Sequence, residues 1–74
     1  MSNDIDGEAL ARAPLTTLEN TLNEFEAGSS LRTAFASVLR FVAVQLIAGA
    51  VPDGMNARES VRRGCDLLAL LSEK

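Results

Sequence analysis

Residues 31–50 read LRTAFASVLRFVAVQLIAGA, and this stretch decides the fold. Its first half is amphipathic at helical spacing. Leu31, Ala34, Phe35, Val38, Leu39 and Val42 fall on one face, and Arg32, Thr33, Ser37 and Arg40 on the other. The second half changes character: from Phe41 to Val51 the only polar side chain is Gln45. Along the stripe Arg40, Val44, Ile47, Val51, a face that began polar has become apolar. A helix that is apolar all round must be covered all round. The stretch therefore predicts a central helix over about 31–50 that needs more covering than a small monomer supplies.

Working outward, Gly28-Ser29-Ser30 marks the end of one helix and the cap of the next. The helix before it is expected over about 14–27. Pro14 suits a first helical position, and Leu15, Leu18, Leu22 and Phe25 form a narrow apolar seam among Glu19, Asn20, Asn23, Glu24 and Glu26. Downstream, Val51-Pro52-Asp53-Gly54 reads as a turn. A third helix is expected over about 57–72, with Asn56 as its N-cap and Glu59 three residues on. Its predicted core face is Ala57, Val61, Gly64, Cys65, Leu68 and Leu71. Glu59–Arg63 and Arg62–Asp66 are candidate i,i+4 pairs on the outside. Ala57 and Gly64, small residues seven apart on that face, invite close approach of another helix, with Gly49 as the candidate counterpart. The fold expected is thus all-α, a single domain of three helices over residues 9–74, preceded by a flexible acidic tail at 1–8. Residues 8–13 add a possible extra turn of helix.

Size sharpens the expectation. With 74 residues the chain buries only about 60% of its unfolded surface, and domains this small usually need a staple. A lone Cys65 forms no internal disulfide, and with no His a zinc site is improbable. Association with another chain is the remaining remedy, so a homo-oligomer is expected, formed through the second half of the central helix. Gln45, buried there, would find its hydrogen-bond partner across a two-fold axis.

The residue inventory argues against catalysis. There is no His or Tyr, and the one Lys is the terminal Lys74. Cys65, read as buried, lacks the open electropositive setting a nucleophile needs. Asp4-x-Asp6-Gly7 faintly resembles a calcium loop, but with Gly7 at the sixth position Ala13 falls where a bidentate Glu is required. No cofactor is expected. Residues 34–51 approach membrane-spanning length, yet Arg40 and Gln45 interrupt them, so a core helix is favoured and no membrane contact is expected. The N-terminus lacks the basic and apolar regions of a secretory signal, and a lone thiol fits the reducing cytoplasm.

Charge is segregated: residues 1–30 carry six acids and one Arg, while residues 31–74 carry four acids and six bases. The first helix is therefore expected near the Arg-bearing faces. The function expected is a non-catalytic protein-binding module, such as a small regulator, adaptor, inhibitor or chaperone-like subunit. Its anchors would be Phe41, Val44, Gln45, Ile47 and Val51. Glu19, Glu24 and Glu26 would meet a basic partner surface. The alternatives are a small dimeric DNA-binding regulator using Arg58, Arg62 and Arg63, and a structural subunit of a larger assembly. Nucleic acid is the less favoured partner, because three basic charges with acidic helical neighbours on a chain of net charge −3 make a weak phosphate site.

Overall fold

The computed structural model describes residues 7–72. Among these, every regular element is an α-helix: α1 (Gly7–Arg12), α2 (Leu15–Glu24), α3 (Ser30–Ala48) and α4 (Ala57–Ser72). The all-α class is as read from the sequence. The additional element is α1, a six-residue helix where only a stray turn was expected. Gly7 and Glu8, assigned to the acidic tail, belong to it. The rest of that tail lies outside the described residues.

The helix ends follow from local chemistry. Ser29 caps α3, its hydroxyl accepting from the Arg32 N–H at 3.1 Å. Asn56 does the same for α4, its Oδ1 accepting from the Glu59 N–H at 2.8 Å. α3 ends at Gly49, whose φ of 114° only glycine adopts without strain. Gly49 is therefore a helix terminator, not the expected helix-contact residue. α2 stops at Glu24 because Phe25 turns extended and packs its ring on Phe35, with centroids 6.0 Å apart.

The most extensive pairing is between α3 and α4, which run antiparallel. The pair closes at Gly64. A Cβ there would lie 2.7 Å from the Ala43 carbonyl oxygen and 2.7 Å from Ile47 Cγ1. Only the absence of a side chain permits this approach, so the predicted role of Gly64 holds with Ala43 as its counterpart. One turn away, the buried Ser60 hydroxyl donates to the Leu46 carbonyl at 3.2 Å. The core is Ala11, Leu18, Leu39, Val42, Leu46 and Leu67 with their neighbours, drawn from all four helices.

α1 and α2 lie on one side of the α3–α4 hairpin. Two arginines attach them. The Arg63 guanidinium donates to the carbonyls of Leu10 and Ala13 at the end of α1. Arg32 donates to the Leu22 carbonyl at 2.7 Å and to that of Phe25 at 3.4 Å, at the end of α2. Helix C-termini expose orphan carbonyls and a negative partial charge, and a guanidinium answers both. Two arginines of the C-terminal segment thus reach the N-terminal segment through its backbone carbonyls. The molecule is a slab of 35 × 33 × 19 Å, and its thin dimension corresponds to two helix layers of about 10 Å each.

The core face expected for α4 is displaced. Ala57, Val61 and Cys65 are exposed, whereas Ser60, Gly64, Leu67 and Leu70 are buried. The polar Ser60 occupies a core position because the α3 carbonyls beside it need a donor. Arg63, read as a partner of Glu59 on a solvated face, is drawn inward by the α1 terminus.

Candidate functional site

Two triads of consecutive residues define what α3 and α4 show to each side. Successive residues on a helix are about 100° apart. In α4, Arg63 reaches α1, Gly64 faces α3, and Cys65 is carried round to the opposite flank, where it is exposed. In α3, Val42 lies beside Gly7 of α1, Ala43 faces Gly64, and Val44 is carried to the opposite flank and is 51% exposed. The hairpin therefore has a covered side, under α1 and α2, and a bare side.

The bare side is apolar. It carries Val44, Ile47 (39% exposed), Val61 and Cys65, with half-buried Leu68 behind them. By helical position its charges among the described residues are Arg58 and, where Leu22 and Gly28 border the same face, Arg40, both exposed. The carboxylates of α4 lie elsewhere, since Glu59 and Asp66 line a polar depression on the α1 side with Arg12, Arg62 and Arg63.

The second surface is a groove of about 300 Å³ between α1 and the C-terminal half of α3. Ala11, Val42 and Leu46 form its floor; Phe41, Gln45 and Val51 form its walls. Phe41 is 64% exposed and stands between the groove and the bare side. Glu8 at the rim accepts from the Asp53 N–H at 3.2 Å and pairs with Arg12 at 3.6 Å, tying the α3–α4 loop to α1. Gln45 is exposed, so it makes no demand on a buried partner in the chain itself.

The structure therefore divides the five anchors read from the sequence. Val44 and Ile47 belong to the bare side, Gln45 and Val51 to the groove, and Phe41 to the boundary. Val61 and Cys65, which sequence reasoning placed in the core, complete the bare side. Their signal was available in the three- and four-residue spacing of Val61, Cys65 and Leu68, but those positions were assigned to the wrong neighbour. Of the basic group, Arg58 and Arg62 face solvent, while Arg63 is engaged with α1. Burial lowers the Arg63 pKa from its ordinary value, and nearby Asp66 opposes the shift. Its Nε is buried without a hydrogen-bond partner. Glu24 and Glu26 are exposed near the end of α2 and Glu19 is half-buried.

Among the described residues, no cluster of three or more His, Cys, Asp or Glu side chains is placed to hold a metal. α3 is long and apolar enough to cross a membrane, with a mean hydropathy of 1.5 over its best window, of which 22% is buried. Arg40 near its middle makes such a placement costly, by about 2.5–3.5 kcal/mol. Compared with protein families, curated proteins and solved structures, the chain matches none.

Proposed function

We propose that this chain is a non-catalytic protein-binding module that receives an amphipathic helix of another protein in the groove between α1 and α3. The observation that carries the reading is the groove itself: an apolar floor on a rigid core helix, with a largely exposed aromatic ring at its lip. A helix-in-groove contact needs such a floor for its apolar anchors and a polar rim for register, and Glu8 and Gln45 supply the rim. Buried apolar anchors, not a charged patch, would carry the affinity. A DNA-binding role has less support, because with Arg63 tied to α1 the basic group on α4 reduces to Arg58 and Arg62. The exposed lone thiol suits a reducing compartment such as the cytoplasm.

The test is site-specific photo-crosslinking in the native host. A benzophenone side chain at Gln45 should give one dominant adduct, mapping to the apolar side of a helix in a different protein. The same probe at exposed Asn20 on α2 should not. Val51→Glu should abolish the adduct. Equal, scattered adducts from both positions would refute the reading.

A further inference from the structure

We propose that the polar depression between α1 and α4 binds a small zwitterion, an α-amino acid, with its carboxylate on Arg62 and Arg63 and its ammonium on Asp66. The depression shares only Ala11 with the groove, and neither reading requires the other.

Arg63 holds more donor capacity than the chain satisfies. Its Nη2 donates to the Leu10 and Ala13 carbonyls, which fixes the side chain in place. Its Nε is buried without a hydrogen-bond partner. A guanidinium carries five N–H donors and no acceptor, so two carbonyls leave this one under-satisfied. Burial also lowers its pKa, the mark of a cation that has lost more water than the chain replaces. An oxyanion answers such a held positive charge with charge-assisted hydrogen bonds. Exposed Arg62, the preceding residue of α4, lines the same depression.

The charges around the depression do not neutralise one another. Glu59–Arg63 and Arg62–Asp66 have the i,i+4 spacing of helical ion pairs, yet neither pair forms among the described residues. Arg63 is held toward α1 instead. Asp66 is near enough to act on the Arg63 charge without meeting it in an ion pair. Cation and anion thus border one depression side by side, and a molecule that carries both charges a few bonds apart bridges them.

Charge balance selects the ligand class. Arg12 is already paired with Glu8 at 3.6 Å. The remaining guanidiniums, Arg62 and Arg63, are matched by the carboxylates of Glu59 and Asp66. A phosphate dianion would be drawn by the two cations and repelled by the two carboxylates. An α-amino acid has no net charge and keeps the balance. The depression has a volume of about 470 Å³, within the roughly 300–1,000 Å³ of small-molecule sites.

The full chain is titrated with glycine, with acetate and with inorganic phosphate, and the arginine Nε–H resonances are followed in proton–nitrogen correlation spectra. Glycine should shift the Arg62 and Arg63 signals to saturation. It should do so at a concentration about tenfold lower than acetate needs, because its ammonium adds a charge-assisted hydrogen bond. Asp66→Asn should weaken glycine about tenfold, to the level of acetate, and leave acetate bound no more weakly than before. Arg62→Ala should weaken both, with unchanged far-UV circular dichroism. If a variant fails to fold, the comparison of glycine with acetate on the unmodified chain carries the same test. No saturable shift with glycine overturns the proposal. Acetate or phosphate saturating as early as glycine also overturns it, in favour of a plain anion site.

Discussion

Replacing Gly64 by Ala tests the closest contact in the structure. On its own the exchange favours helix by about 1 kcal/mol, since glycine is the poorer helix former. The added Cβ, however, would lie 2.7 Å from the Ala43 carbonyl oxygen and 2.7 Å from Ile47 Cγ1. Ile47 can rotate away because its side chain is partly exposed; the Ala43 carbonyl belongs to the α3 backbone and cannot. Relief requires α3 and α4 to part by several tenths of an ångström along the largest interface in the molecule. Overpacking of this kind costs about 1–3 kcal/mol, and gaps of that size forfeit a sizeable share of each contact's attraction. Because the obstructing atom is backbone, the cost falls in the upper part of that range, about 2–3 kcal/mol, and the propensity gain of about 1 kcal/mol leaves a net loss of about 1–2 kcal/mol. For a domain of this size that lowers the midpoint of thermal unfolding by roughly 4–16 °C. Far-UV circular dichroism at one fixed protein concentration reads it, with Ala69→Gly on the exposed side of α4 as the propensity control. Adding Ile47→Ala should recover part of the loss but not all, because the carbonyl remains. A Gly64→Ala protein as stable as the original, or more stable, would refute the close approach of α3 and α4.

Arg63→Ala removes both donors to the α1 terminus, and hydrogen bonds from a charged group are worth about 1.5–3 kcal/mol. Amide exchange in α1 and the start of α2 should accelerate by roughly tenfold or more while the α3–α4 contact keeps its protection. Ser60→Ala should cost about 1 kcal/mol in urea denaturation, because the Leu46 and Ala50 carbonyls lose their buried donor. The urea midpoint should stay flat between about pH 6 and 7.5. No His titrates there. Arg63 has a folded pKa below its unfolded one, so the penalty on its charge relaxes only as pH rises through the alkaline range.

The features legible in the sequence were those set by local chemistry. Leu39, Val42 and Leu46 recur at helical spacing, and they form the buried stripe of α3. Ser29 and Asn56 announced helix starts because their side chains bond amides three residues on. The small size of Gly64 announced a close helix contact, though not which residue would meet it. The excess of apolar positions at Val44, Ile47 and Val51 was readable for the same reason, and all three remain exposed. What was not readable depended on residues distant in sequence. Arg63 and Arg32 look like surface cations until α1 and α2 present their carbonyls, 53 and 10 positions away respectively. Ser60 looks like a solvent residue until Leu46 lies above it. Misplacing Ser60 and Arg63 turned the assigned core face of α4, and that error hid Val61 and Cys65 from the candidate surface.

The central claim is that the groove between α1 and α3 is a binding surface for a helix of another protein. Resonances in the presence of a soluble paramagnetic agent report it side chain by side chain. With the crosslinked partner bound, the Val51 methyls and the Phe41 ring should be shielded, while the Leu31 methyls, 65% exposed at the far end of α3, should broaden strongly. Broadening of Val51 and Phe41 equal to that of Leu31 with the partner present would contradict the account.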